Sequence, residues 1–385
     1  MKKILLIHNK YRFFGGEDQS VENEIQLLNK YYDLRVIFES NYFTNIFNDL
    51  IAMIFGKNFN FEKKLNDHIN DFSPDFIYVH NTWYKTSLSF LKTLQKKKIP
   101  VVIKLHNLRY YCTKTFSHNK HMNGESICKA CGMEKSKKVF NKYFNDSYFK
   151  SFFVIKYGKK YINILKNFDN SILVLTDFHK KFLINEGVNE NKIFIIPNYL
   201  SLDKAFPKKQ KSDYFVYAGR ISVEKGVDCL VSSFKNASLK NTSLKLIGEG
   251  PLLSKLKNDY KNDINIKFLG SLENKVVLKE INGSKGVITA TRLYEGQPTL
   301  LCEASKLGKV SIFPKTGGIV DFFPENYNFA FSQFNYLELK EKIKILDKKS
   351  EDVNIGLENK KHIDKLLDEK AILESFKKVF VEKNE

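Results

Sequence analysis

The sequence predicts an α/β protein built as two parallel-sheet domains in tandem. Three observations predict it. Short apolar runs bounded by turn residues alternate with longer segments of helical period. The alternation runs through the first half of the chain and starts again after a polar stretch that holds two prolines. The length, 385 residues, gives room for two or three domains at about 150 residues each.

In the first half, Lys3–His8, Arg35–Phe38, Phe76–His80, Val101–His106, Ile172–Thr176 and Ile193–Ile196 read as buried strands. Between them, Val21–Tyr31 and Leu88–Lys97 carry the apolar spacing of amphipathic helices. The linker falls within Pro197–Asp213, which includes the basic run Lys208-Lys209-Gln210-Lys211. Tyr214–Ala218, Leu244–Gly248, Ile266–Leu269, Gly286–Thr289 and Lys309–Phe313 then read as a second set of strands, with helices such as Gly226–Lys235 and Leu252–Asn258 between them. The tail His362–Lys383 reads as one amphipathic helix. The expected domains are therefore 1–200 and 201–361, followed by a terminal helical segment, 362–385.

Composition narrows the function classes. With 43% hydrophobic and 14% aromatic residues the chain can bury real cores, so a disordered or low-complexity protein is excluded. The net charge of +20 attracts polyanions: nucleic acid, an anionic membrane surface or a phosphorylated substrate. Only four apolar residues follow Met1-Lys2-Lys3 before His8-Asn9-Lys10, short of the roughly 7–15 of a signal peptide. The run Leu50–Phe55 falls far short of the roughly 20 residues that span a bilayer. A cytoplasmic location is expected, and its reducing conditions make the five cysteines an unpromising disulfide framework.

Several nucleotide signatures are missing. Gly308-Lys309 is followed by Val310, which breaks a phosphate-binding P-loop, and Gly248-Glu249-Gly250 lacks the third glycine of a dinucleotide fingerprint. No Asp-x-Asp metal clamp occurs.

Four segments lie where a strand gives way to a loop or helix, the usual ligand edge of such sheets. Gly15-Gly16 precedes a helix whose N–H groups can receive a phosphate; an ordinary loop pair is the plainer reading. Gly219-Arg220 and Glu224-Lys225-Gly226 put a guanidinium and an ammonium at a tight loop entering a helix, an arrangement suited to a diphosphate. In Glu295-Gly296-Gln297-Pro298-Thr299, the proline suits the first turn of a helix, so Gly296–Thr299 should offer unpaired N–H groups. Glu303 lies in an apolar stretch of that helix, where an unpaired carboxylate is costly unless it holds a ligand hydroxyl or a cation. Finally, His106-Asn107-Leu108-Arg109 ends a strand with a histidine that could bond a substrate hydroxyl or phosphate, or serve structure alone.

In this order the motifs resemble the retaining glycosyltransferases of family 4, of bacterial surface-polysaccharide type. Glu295 and Glu303 stand at that family's Glu-x7-Glu spacing, and Gly248-Glu249-Gly250-Pro251 and Gly317-Gly318 also match. Gly15-Gly16-Glu17-Asp18 and His106–Arg109 resemble its acceptor-side half. The resemblance implies the GT-B fold: two Rossmann-like domains facing a central cleft, with the last helix crossing back to the first. It implies a nucleotide-sugar donor, UDP- or GDP-linked, in the second domain, and an acceptor, here a lipid-linked glycan of capsule, O-antigen (lipopolysaccharide) or other surface-polysaccharide synthesis, in the first. Arg220 and Lys225 would neutralise the leaving diphosphate, helped by the backbone at Gly15 and Gly16. Glu295 with Gly296, Gln297, Pro298 and Thr299 would meet the donor sugar, Glu303 the ribose, and His106 the reacting centre. Gly219 belongs to the donor loop. No catalytic metal or cofactor is implied, and no nucleic acid.

Three expectations complete the reading. Cys112, Cys128 and Cys131 resemble a cysteine cluster of some family members and could hold a structural zinc, with His118 or His121 as a further ligand; free thiols are the alternative. Cys229 and Cys302 are expected to be packing residues. Tyr148–Phe168, where aromatics interleave with lysines, and the apolar Phe43–Phe59 are expected to face the inner leaflet of the cytoplasmic membrane, or to be core helices. Two rival functions remain open: a non-catalytic basic nucleic-acid-binding protein, and an epimerase or phosphorylase of the same fold.

Overall fold

The computed structural model describes the whole chain except residues 12–14, 41–50, 53–54, 113–114, 135–138, 141–146, 203–212, 349–352 and 382–385. It forms two compact units: Met1–Leu200 together with Glu369–Glu385, and Ser201–Asp368. Most of the expected linker lies outside the described residues.

The first unit holds six parallel strands: β1 (Lys3–Lys10), β2 (Asp33–Ser40), β3 (Phe76–Val79), β4 (Val101–Leu105), β5 (Asn170–Val174) and β6 (Ile193–Ile195). Their order is β2-β1-β3-β4-β5-β6. β3, β4 and β5 are buried along their whole length, as strands covered on both faces must be. The second unit holds β7 (Tyr214–Ala218), β8 (Ser243–Ile247), β9 (Ile266–Gly270), β10 (Gly286–Ile288), β11 (Val310–Lys315) and β12 (Ala330–Ser332), in the order β12-β11-β10-β7-β8-β9. This sheet too is parallel throughout.

Each sheet reverses its winding direction at its first strand, between β1 and β3 in one unit and between β7 and β10 in the other. Loops leaving neighbouring strands in opposite directions open a crevice there, at the carboxyl ends of the strands. The candidate residues Arg220 and Glu295 follow β7 and β10, while Gly15 and His106 follow β1 and β4.

Two expectations about elements are corrected. The tail is two helices, Val353–Leu366 and Glu369–Val381, with the break at Leu367 and Asp368. The first helix stays with the second unit, so the terminal segment of the first unit begins at Glu369 rather than at His362. The last helix is anchored on the first unit by Phe376 and Phe380, both fully buried against Tyr78, Phe76 and Tyr32. Each such ring contributes about 1.5–3 kcal/mol. β12 has no counterpart among the expected strands.

Tyr148–Phe168 follows the core-helix alternative over most of its length, as the helix Tyr148–Asn167. Phe153, Tyr157 and Tyr161 are buried in the first unit, and only Tyr148, Phe149 and Phe152, at its amino-terminal end, are exposed. Lysines alternating with rings here mark the wet and dry faces of an amphipathic helix. Much of Phe43–Phe59 lies outside the described residues; Phe55 and Phe59 are exposed.

Candidate functional site

The loop after β7 carries Gly219, Arg220 and Lys225. Tyr217, buried on β7, donates its hydroxyl to the Arg220 carbonyl at 2.9 Å and so fixes the backbone from which the guanidinium projects. Arg220 itself is 67% exposed, with Glu224 at the limit of ion-pair distance, 4.0 Å. Its charge therefore remains available to an anionic ligand.

Lys225 is held differently. Its ammonium donates to Glu295 Oε1 at 2.6 Å, and the Thr291 hydroxyl donates to the same oxygen at 3.0 Å. The loop after β7 is thus tied to the loop after β10. The backbones repeat the tie: Arg292 N–H donates to the Glu224 carbonyl at 3.0 Å. Gly226 sits at φ +63°, and a Cβ there would lie 1.9 Å from the Ala290 carbonyl oxygen. Only glycine allows so close an approach.

Glu295 is also gripped from below. The Gly318 N–H donates to its carbonyl at 2.8 Å. Gly317, at φ +57°, leaves no room for a side chain, since a Cβ would come within 2.6 Å of the same oxygen. This is the physical demand behind the Gly317-Gly318 pair.

The segment Gly296-Gln297-Pro298 leads into the helix Thr299–Lys306. Pro298 stands one position before the helix instead of in its first turn: its ψ of 92° keeps it extended, while its carbonyl accepts from the Leu301 and Cys302 N–H groups. The N–H groups at the start of this helix carry its positive dipole end.

Inside the helix, Glu303 is 5% exposed and accepts one hydrogen bond, from the Asn274 side-chain amide at 3.1 Å. Burial raises its carboxyl from the usual 4.5 to about 7, against the lowering effect of Asn274. A buried carboxylate held by a single amide keeps capacity for hydroxyl donors. Cys302 is buried beside it, its thiol pushed up by burial first and then by Glu303. Cys229 is only half-buried and lies 3.1 Å from Arg292 Nη2.

In the first unit, Gly15 caps the helix Gly16–Leu28. Its φ of −138° is open to any residue, and its N–H is already taken by Asp18 Oδ2 at 3.0 Å. Asp18 also bonds buried His8, 2.9 Å from Nε2. His106 is half-buried just past β4, and its Nε2 lies 3.0 Å from Nδ1 of His80. Burial, then Lys104, His8 and His179, hold its imidazole well below the usual range.

Cys128 and Cys131 form a tight turn: Gly132 N–H donates to the Cys128 carbonyl at 2.8 Å, and Cys128 N–H to the Met133 carbonyl at 2.9 Å. Both thiols adjoin the apolar core of the first unit. The Cys112 side chain lies outside what is described, and no group of three or more His, Cys, Asp or Glu residues gathers as a metal site among the described residues.

The structure thus joins Lys225 to Glu295 directly and sets Arg220 on the same loop, while Glu303 pairs elsewhere, with Asn274. Sequence reasoning missed Thr291, Asn274 and His80. His80 alone carried a signal, since it closes an apolar strand as His106 does.

Residues 200–366 match the family model of glycosyl transferases group 1. Two curated relatives illustrate the match. An uncharacterized glycosyltransferase of Methanocaldococcus jannaschii is 30% identical over 183 residues, covering 42% of this chain and 42% of that protein. The UDP-Gal:alpha-D-GlcNAc-diphosphoundecaprenol alpha-1,3-galactosyltransferase of Escherichia coli is 25% identical over 169 residues, covering 38% of this chain and 43% of that protein. The chain therefore spans less than half the length of either. Among solved structures, the sucrose-phosphate synthase of Thermosynechococcus elongatus aligns over 100% of this chain and 99% of its own, with a TM-score of 0.72 and 14% identity. The fold is accordingly GT-B, and its second unit carries the match to glycosyl transferases group 1.

Proposed function

We propose that the chain is a retaining glycosyltransferase of family 4 that moves a sugar from a UDP- or GDP-linked donor to a lipid-linked glycan acceptor in bacterial surface-polysaccharide synthesis. The observation that carries this is the Lys225–Glu295 contact, 2.6 Å, at the point where the second sheet reverses. It ties a fixed cation to the loop that would meet the donor sugar, with Arg220 exposed on the adjoining backbone.

Negative charge grows on the diphosphate as its bond to the sugar breaks. Cations already aimed at that charge stabilise the transition state without reorganising. Arg220 offers a fork of donors and Lys225 a point charge, and the helix start at Thr299 adds dipole. Together they take the role a divalent ion plays elsewhere, so the donor needs no metal. Glu303 holds the ribose hydroxyls. Glu295 Oε1 holds Lys225 and accepts from Thr291, and this route needs no protein nucleophile. The proton of the acceptor hydroxyl goes to the leaving phosphate on the same face, which retains the anomeric configuration.

The acceptor belongs to the first unit, with His106 at the reacting centre. A lipid-linked acceptor is supported by the name of the Escherichia coli relative, whose own substrate is a diphosphoundecaprenol-linked sugar. No helix among the described residues is long and apolar enough to cross a membrane. We assign contact with the anionic inner leaflet to the exposed rings Tyr148, Phe149 and Phe152 with nearby Lys156 and Lys159. The test is a screen of UDP- and GDP-sugars with a polyprenyl-diphosphate glycan acceptor, with the product's anomeric configuration read by NMR. Transfer with retention is expected; inversion, or turnover of none of the donors, overturns the reading.

A further inference from the structure

His80 and His106 end adjacent strands, β3 and β4, at the edge where the candidate acceptor residues lie. Their rings stack at 5.3 Å and 26°, with His80 Nδ1 and His106 Nε2 3.0 Å apart. One of these two nitrogens carries the shared proton and the other accepts it. Burial holds both imidazoles well below their usual range, and Lys104 and His8 act in the same direction. Each ring is then neutral at pH 7 and carries one N–H.

The far side of His80 decides which. Its Nε2 is buried without a hydrogen-bond partner, and Glu24 Oε2 lies 3.8 Å away. Glu24 is fully buried, paired with Lys104, and accepts from the Tyr78 hydroxyl at 2.8 Å. A bare lone pair on Nε2 would face that carboxylate oxygen and be repelled, whereas an N–H is attracted. The proton of His80 therefore sits on Nε2, its Nδ1 accepts, and His106 donates through Nε2.

We propose that His80 is a positioning residue that holds His106 in the Nε2–H tautomer, so that His106 presents a bare Nδ1 lone pair to a ligand hydroxyl. The identity of that ligand rests on the glycosyl-transfer reading; the tautomer does not. A site built this way selects a group that donates a hydrogen bond, as a sugar or acceptor hydroxyl does, and disfavours a phosphate oxygen, which can only accept.

The test uses the full chain with ¹⁵N-labelled histidine, His106 being assigned through His106→Gln. At pH 7 the expected spectrum shows His106 protonated at Nε2 and bare at Nδ1. His80→Phe and His80→Gln should release it into a mixture of tautomers. His80→Asn places its amide where Nδ1 stood and should restore the single form, which a merely space-filling role for His80 would not produce. In transfer assays the Phe and Gln variants should lose about tenfold in kcat with little change in KM, the loss of one neutral hydrogen bond, and Asn should recover most of it. The KM that rises in His106→Phe, donor or acceptor, names the source of the hydroxyl. An Nδ1–H tautomer in the unmodified protein, or a His106 spectrum unmoved by His80→Phe, overturns the proposal. Absence of transfer in the unmodified protein would instead overturn the activity, leaving the spectra to decide the tautomer.

Discussion

Glu303→Gln should stabilise the second unit more in alkaline than in acid solution. The carboxyl is 5% exposed, and burial raises it from 4.5 to about 7. A raised carboxyl favours the protonated native state. Its cost is absent below the unfolded value, grows as pH rises past 4.5, and is complete above 7. At about 1.4 kcal/mol per pKa unit, the full cost is about 3 kcal/mol. Linkage leaves about 1 kcal/mol of it at pH 5 and nearly all of it at pH 8. The neutral amide escapes this cost, so its advantage over the parent should grow by about 2 kcal/mol between those pH values. For a domain of this size that is roughly 4–8 °C in Tm.

Calorimetry at pH 5 and 8 reads this directly. The chain's one tryptophan, Trp83, lies in the first unit, so its fluorescence serves as a control that should not move. Any contact the new amide makes or loses is independent of pH and cancels in the comparison. Donor binding completes the test. Ribose hydroxyls bond an ionised carboxylate more strongly than a protonated carboxyl, so the parent's affinity for UDP should rise from pH 6 to 8 more steeply than the variant's. An equal stability gap at pH 5 and pH 8 would refute the burial argument, and equal pH slopes for UDP would refute the ribose role.

The cations give a second expectation. Arg220→Ala and Lys225→Ala should each cut turnover by about 10²–10³ with the fold intact, and near-normal rates in both would end the diphosphate assignment. Transfer should survive EDTA without added magnesium or manganese, with metal analysis of the purified protein tracking any zinc at Cys128 and Cys131 separately; an absolute requirement for a divalent ion at the donor would contradict the charge argument. The protein should sediment with anionic vesicles at low salt and leave them at high salt, and changing Tyr148, Phe149 and Phe152 to Ser should abolish this. Binding unaffected by that triple change would place the docking face elsewhere.

Strands were legible because each is a short apolar run closed by turn residues; Tyr214–Ala218 agrees to the residue with β7. The break at Leu367 and Asp368 was not, because the apolar period continues through Leu366, Leu367 and Ile372. Arg220, Lys225 and Glu295 could be picked out because each follows a strand, and strand ends are where ligands sit in such sheets. Their partners could not. Asn274 and Glu303 are far apart in sequence, and nothing local tells an amide that it will roof a carboxylate on another helix. The helix Tyr148–Asn167 left two readings open for a different reason. With aromatic residues on most of its surface, composition does not say which face is buried, and packing against Tyr110 and Trp83 decides it.

The two units place opposite chemistry at equivalent points of the same architecture. Each sheet reverses at its first strand, and each keeps its candidate residues at the carboxyl ends beside that reversal. In the second unit the cations reach solvent: Arg220 is 67% exposed, and Lys225, paired with Glu295, 32%. In the first they are histidines, His80 buried and His106 half-buried, kept neutral, and buried Lys104 is paired with Glu24. Fixed exposed cations suit an anionic group that arrives charged and gains charge during reaction. Neutral rings of set tautomer suit hydroxyls, which need direction and not charge. The net charge of +20 therefore says little about the first unit's ligand. What distinguishes the two candidate subsites is where each fold buries its ionisable groups.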